Sequence, residues 1–190
     1  MSDRGDTGDS ATATKRRGPP SRVAAATLVI EVVEDDGDWS AFAPFAPAIE
    51  AAARAIARRL GLGGIAAVIA LSSDARVRAL NRQFRGQDKP TNVLSFPQPG
   101  LPTHAGEPRA LGDVVLAVET VRREAAHLGI APVNHLQHLV IHGLLHLLGY
   151  DHATDTEAEA MEAIEIEVLA ALGVANPYLE PAAGTRRDKR

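Results

Sequence analysis

The chain of 190 residues contains no cysteine, so it has neither a disulfide framework nor thiolate ligands for a metal. It also lacks any apolar run near the roughly 20 residues that a membrane-spanning helix requires. Residues 1–20 lack the apolar core of a signal peptide. These absences exclude a disulfide-stapled or membrane-spanning protein and predict a cytoplasmic protein with no membrane partner.

The net charge of −4 is unevenly distributed along the chain. Segments 1–22 and 176–190 each carry +2, which leaves −8 on the residues between them. Because segment 1–22 has almost no apolar residues, it is predicted to be a disordered N-terminal tail, and 176–190 is predicted to be a disordered basic C-terminal tail. Residues 23–175 are predicted to form one domain, since this length can bury a single substantial core.

Within this acidic domain, residues 74–89 form a basic segment with a local charge of +3. An acidic domain is not typical of a nucleic-acid binder, so any RNA or phosphate is expected to bind at this segment. A solvated helix face is the alternative interpretation, and the sequence leaves both open. The basic side chains are Arg76, Arg78, Arg82, Arg85 and Lys89.

Hydrophobic periodicity predicts four strands and about five helices. Their order, β-α-β-α-β-β-α-α-α, predicts a single α+β domain in which the helices pack on a small mixed four-stranded sheet. The predicted strands are residues 26–33, 65–71, 91–96 and 111–117; the predicted helices are 46–60, 74–84, 119–128, one that opens at 132 or 133, and 155–172.

Further predictions concern the last helix and the fourth strand. The last helix begins with a capping-box sequence at Thr154–Glu157, and its glutamates are expected to face solvent. Asp113 interrupts the apolar pattern of the fourth strand, either as a turn-former or as a residue that faces a site. The inward stripe of the last helix is predicted to contain Met161, Ile164, Val168 and Leu172.

Three metal-capable side chains lie close together in H-G-L-L-H-L-L-G-Y-D-H, residues 142–152. His142 and His146 are one helical turn apart on the same face, so both can direct a ring nitrogen at one point. Gly149 suits the left-handed position that ends a helix, and the turn after it can return His152 to that point. Three protein ligands leave one open position on a tetrahedral ion, which is the arrangement of catalytic zinc. These histidines are therefore the predicted metal ligands.

The helix that carries these histidines is predicted to be buried, because apolar residues cover nearly all of its circumference. Its polar stripe also holds His135 and His138, which are interpreted as supports of the site, solvent-facing residues or RNA contacts. Satisfied polar histidines are the alternative to ligation, but three at this spacing rarely occur by chance. Gly143 occupies the position that holds the general-base glutamate in H-E-x-x-H zinc proteases, which disfavours a peptidase.

Several segments of the sequence resemble signatures of a known family. Residues 142–152 resemble the H-G-x-L-H-L-x-G-Y-D-H signature of the YbeY family of bacterial endoribonucleases. Residues 85–97, R-G-Q-D-K-P-T-N-V-L-S-F-P, resemble its second signature, and Leu111-Gly-Asp113 resembles a third. The resemblance covers roughly residues 26–173 and leaves both tails outside it.

The resemblance implies a zinc-dependent endoribonuclease that acts on single-stranded RNA, in maturation of the 3′ end of 16S rRNA and in ribosome quality control. It implies one zinc ion per chain on His142, His146 and His152, the small ribosomal subunit and its proteins as partners, and no DNA substrate. It also implies a catalytic role for Arg85, whose guanidinium group can clamp the scissile phosphate. Arg85 is expected in a loop, because Gly86 and Pro90 follow it.

Two other functions stay open at this point. One is a zinc-stabilised ribosome assembly factor with incidental nuclease activity. The other is a metallohydrolase of a small substrate.

Overall fold

A computed structural model describes residues 28–98 and 107–179 of the protein. Predictions for residues 1–27, 99–106 and 180–190 lie outside the described residues, including the N-terminal tail and most of the C-terminal tail. Strands and helices follow one another in the predicted order, which confirms a single α+β domain. None of the described helices is long and apolar enough to cross a membrane.

The four strands form one mixed sheet in the order β1-β2-β4-β3. Strand β2 lies parallel to both β1 and β4, whereas β3 lies antiparallel to β4. The apolar runs become strands because both faces of this sheet carry helices that bury them. The bounds are β1 Leu28–Glu34, β2 Ile65–Ser72, β3 Val93–Pro97 and β4 Arg109–Ala117.

The five α-helices lie close to their predicted positions. Ser73 caps the second helix, and Thr154 and Glu157 form the predicted capping box of the last one. A 3-10 helix at Ser40–Phe42 was not predicted, because three residues are too few to show a period. The bounds are α1 Phe45–Leu60, α2 Asp74–Arg85, α3 Val118–Leu128, α4 Pro132–Leu147 and α5 Asp155–Ala171.

The larger part of the core lies between one face of the sheet and α1 and α4, with α5 packed behind them. Ile69 of β2, Val114 of β4 and Ile141 of α4 are fully buried there. On the opposite face, α2 covers a smaller cluster that includes Val77 and Val115. Helix α4 is therefore enclosed by the sheet and by other helices, as its apolar circumference predicts.

Asp113 lies in the middle of β4, where it is paired with Val68 and Phe96. Because successive side chains of a strand point to opposite faces, Asp113 faces away from the side on which Val114 packs against α4. Its side chain is exposed. Asp113 is thus neither in a turn nor directed at the histidine helix, and both interpretations of this residue are wrong.

Helix α4 approaches the sheet very closely at Gly143. A Cβ atom at this position would lie 2.6 Å from Val114 Cγ1 and 3.3 Å from Ser95 Oγ. The Ser95 hydroxyl also donates to the Gly143 carbonyl at 3.1 Å. Position 143 therefore faces the sheet, and a general-base glutamate there would point into the core instead of toward His142 and His146.

We predict that Gly143→Ala destabilises the protein by about 1–3 kcal/mol, because the added methyl group overpacks the contact with Val114. The sign of the change in the free energy of unfolding is diagnostic of the close contact, since alanine in a helix interior is otherwise about 1 kcal/mol more favourable than glycine. Urea unfolding measures the change. As a control, the same substitution in a Val114→Ala background should cost less, and a stabilising Gly143→Ala in the wild-type background would contradict the close approach.

Candidate metal centre

Helix α4 places four histidines on one stripe, as its sequence predicts. The ring centroids of His135 and His138 are 6.1 Å apart, those of His138 and His142 are 6.4 Å apart, and those of His142 and His146 are 4.6 Å apart. The last pair lies near the C-terminal end of α4, where the chain turns back. Ring nitrogens of His142, His146 and His152 all lie within 4.8 Å of one another. The structure thus brings together the three histidines that the sequence predicts as ligands.

The turn after α4 returns His152 to the other two rings. Gly149 has a left-handed conformation with φ of 93°, which a residue with a Cβ atom rarely adopts. The Tyr150 amide then donates to the Leu145 carbonyl at 3.0 Å, which closes the helix end. As a result, the ring centroid of His152 lies 5.1 Å from that of His146 and 5.6 Å from that of His142.

Hydrogen bonds determine which ring nitrogens of His142 and His146 carry protons. His146 Nδ1 lies 3.0 Å from the Tyr150 carbonyl, which can only accept, so this nitrogen is the donor. His142 Nδ1 donates in the same way to Glu165 Oε1 at 2.9 Å. In the neutral rings both Nε2 atoms therefore lack protons, yet they lie only 3.1 Å apart. Two such lone pairs repel each other unless a cation lies between them.

This arrangement fits a metal ion. Two nitrogens bound at about 2.1 Å to a tetrahedral zinc ion lie about 3.4 Å apart, close to the observed separation. Burial lowers the pKa of His146, and the neighbouring His142 and His152 lower it further, so the His146 ring stays neutral and able to bind at neutral pH. Because His152 is exposed, a bound ion would keep one side open to solvent.

Glu165 of α5 is a residue of this centre that the sequence analysis missed. The prediction that the glutamates of this helix face solvent is wrong here, since its side chain is fully buried. Its Oε2 accepts from His138 Nε2 at 3.0 Å and from the Tyr178 hydroxyl, while Oε1 accepts from His142. Burial would raise the pKa of Glu165, but these hydrogen bonds outweigh it and lower the pKa to about 2. Glu165 is therefore an anion that orients two histidines.

His135 and His138 are held by carboxylates. His138 donates to Glu165, and His135 Nε2 lies 2.8 Å from Glu124 Oε2. The His135 side chain is buried, so the solvent-facing interpretation is wrong for it. Neither residue belongs to the group of three converging histidines. Their contacts with the two carboxylates hold both rings in place along α4.

Arg85 is the last residue of α2, so its predicted position in a loop is wrong by one residue. Gly86 caps the helix in a left-handed conformation. The Arg85 side chain lines a polar cleft of about 320 Å³ together with Lys89 and Arg123. Arg78, in contrast, is paired with Asp88 through two hydrogen bonds of 2.8 and 2.9 Å. Within the basic segment, Arg85 and Lys89 thus line the cleft, whereas Arg78 is paired with a carboxylate.

The cleft that Arg85 lines does not include the three converging histidines among its described lining residues. Its wall includes Glu124, whose carboxylate contacts His135. His135 precedes His142 by seven residues, or about two turns of α4. The stripe of histidines therefore connects the basic cleft to the metal centre.

The fold and the site together define a single-domain α+β protein in which a group of three histidines that could hold a metal ion lies at the end of a buried helix. A family model described as Endoribonuclease YbeY matches residues 44–173. The protein belongs to this endoribonuclease family, which confirms the family that its signature segments predict.

Two relatives named Endoribonuclease YbeY agree with this assignment. Endoribonuclease YbeY of Azorhizobium caulinodans is 52% identical over 156 residues, which cover 80% of this chain and 97% of the relative. Endoribonuclease YbeY of Chelativorans sp. is 46% identical over 153 residues, 80% of this chain and 93% of the relative. The solution structure of TM1509 from Thermotoga maritima is 25% identical, with a TM-score of 0.49 over 86% of this chain and all of that one.

We predict that His146→Ala abolishes metal binding, because His142 and His152 alone leave two protein ligands. Elemental analysis of the purified proteins measures this, with one metal ion per chain expected for the wild type. His127→Ala is the matched control, since His127 is an exposed histidine in the last turn of α3. Full metal content in His146→Ala would remove this residue from the ligand set.

Proposed function

We propose that the protein is a zinc-dependent endoribonuclease that cleaves single-stranded RNA and matures the 3′ end of 16S rRNA. It works in the cytoplasm in ribosome quality control, with the small ribosomal subunit and its proteins as partners. The observation that carries this proposal is the convergence of ring nitrogens of His142, His146 and His152 within 4.8 Å of one another, in a member of an endoribonuclease family.

Zinc is the expected metal because three imidazoles with one open position form a typical catalytic zinc site. When bound, zinc supplies a Lewis acid for a phosphoryl oxygen and lowers the pKa of a coordinated water to about 7. The exposed side of His152 gives the RNA phosphate access to this position. Glu165 is buried and occupied by three donors, so it holds the ligand His142 and does not act as the general base.

Arg85 is proposed to bind a phosphate of the RNA and to stabilise its charge during cleavage. Its side chain is exposed, and Lys89 and Arg123 line the same polar cleft. The cleft adjoins the start of the histidine stripe on α4, because Glu124 lines the cleft and its carboxylate contacts His135. A guanidinium group can donate two parallel hydrogen bonds to one phosphate, whereas lysine supplies only a point charge.

We predict that Arg85→Ala keeps the fold and the zinc, because Arg85 is an exposed helix-terminal residue outside the three-histidine group. If Arg85 contacts the phosphate in the transition state, single-turnover cleavage at saturating RNA should fall by roughly 10²–10³-fold. Arg85→Lys should restore only part of the rate. Arg78→Ala is a matched control, since Arg78 lies on the same helix but is paired with Asp88.

The same experiment tests the second candidate function, a zinc-stabilised assembly factor of the small ribosomal subunit. This function is favoured by the separation between the Arg85 cleft and the three converging histidines. It predicts that Arg85→Ala weakens association with the subunit, measured by pull-down, but leaves cleavage of short RNA unchanged. Unchanged cleavage with intact zinc would therefore remove Arg85 from catalysis and favour the assembly factor.

A further inference from the structure

The C-terminal end of the described chain contacts the metal centre through one side chain. Segment 176–179 falls within the predicted C-terminal tail, yet Tyr178 donates from its hydroxyl to Glu165 Oε2. Its ring also packs edge-on against His138, with centroids 5.8 Å apart and an interplanar angle of 83°. The Asn176 side chain accepts from the Tyr178 amide at 2.8 Å, which shapes the segment locally.

Apolar burial does not explain the position of this segment. Tyr178 is 42% exposed and Leu179 is 70% exposed, so little of their apolar surface is removed from water. The hydroxyl, in contrast, reaches a carboxylate that is fully buried. The hydrogen bond between Tyr178 and Glu165 is therefore the contact that links this segment to the buried carboxylate.

We propose that Tyr178 is a positioning residue of the metal centre, which acts by fixing the carboxylate of Glu165 against His142. This inference rests on the proposed function, because it requires that the three histidines bind a metal.

The distribution of donors on Glu165 supports the proposal. Oε1 accepts from the ligand His142, whereas Oε2 accepts from His138 and Tyr178. The two donors on Oε2 fix the plane of the carboxylate, and this plane determines where Oε1 meets His142 Nδ1. Without the Tyr178 hydroxyl, His138 is the remaining described donor to Oε2, so the carboxylate and the ligand ring become less well oriented.

If Tyr178 positions the metal centre, ordering of its segment and binding of the metal must each favour the other. If ordering of Tyr178 strengthens metal binding, then metal binding must order Tyr178 by the same factor. We therefore expect zinc to protect segment 174–179 from hydrogen exchange in the full-length wild-type protein. The same protection should be largely lost in Tyr178→Phe, which removes the hydroxyl and keeps the ring.

The decisive experiment is a competition titration with a zinc chelator on full-length proteins. Loss of a partner of a ligating histidine typically costs 10–100-fold in metal affinity. Because Tyr178 acts one hydrogen bond further out, Tyr178→Phe should weaken zinc binding by about tenfold, at the lower end of that range. Leu179→Ala is the matched control: it changes the neighbouring residue of the same segment, whose apolar side chain is 70% exposed and makes no hydrogen bond to Glu165.

Melting temperatures of the metal-free proteins separate positioning from a general loss of stability. Equal melting temperatures for Tyr178→Phe and Leu179→Ala, with weaker zinc binding only in Tyr178→Phe, would support the proposal. An unchanged zinc dissociation constant in Tyr178→Phe would overturn the proposal. Weaker zinc binding accompanied by a lower melting temperature of the metal-free variant would overturn it as well. A wild-type protein that binds no zinc would instead contradict the proposed metal centre itself.

Discussion

The hydrogen bonds that orient two imidazole rings govern the architecture of this site. His142 and His146 each give their Nδ1 proton to an acceptor that cannot donate back, so their Nε2 lone pairs must face each other. The acceptors come from different parts of the chain, the Tyr150 carbonyl from the turn after α4 and the Glu165 carboxylate from α5. Both must be in place before the two rings present a pair of ligand atoms, so the packing of α5 against α4 is part of the site.

The way α4 packs explains why the chemistry resides on one narrow stripe. Gly143 allows the helix to lie against β4, and most of the remaining circumference of α4 is occupied by core residues. The positions available to functional side chains are therefore the stripe of four histidines and the turn that follows the helix. A general base at the position after the first ligand is incompatible with this packing, which distinguishes the site from that of an H-E-x-x-H protease.

The parts of the structure that depend on local sequence could be predicted. The spacing of His142 and His146, the left-handed Gly149 and the capping box of α5 are all encoded within a few residues, and the structure shows each of them. The periodic apolar residues likewise predicted the order of strands and helices. Such features require no knowledge of the distant parts of the chain.

The parts that depend on distant contacts could not be predicted. Glu165 lies 23 residues from His142, and several other glutamates surround it on α5, so composition alone suggested a solvated face. A signal was present, since Met161, Ile164, Glu165 and Val168 share one helical face. Tyr178 gave no comparable signal because it follows the last periodic helix. Asp113 was misjudged because the sequence does not show which face of β4 meets α4.

The turn that carries His152 has both of its ends fixed by backbone geometry. Gly149 and the bond from Tyr150 to Leu145 fix its start, while the reciprocal hydrogen bonds of Thr154 and Glu157 fix its end. His152, the proposed third ligand, thus lies on a segment with hydrogen bonds at both ends that involve no metal ion. In small zinc fingers, by contrast, the free energy of metal binding is the free energy of folding. In the proposed site, these hydrogen bonds order the turn when the domain folds, so the conformational entropy of the turn would be lost before an ion binds.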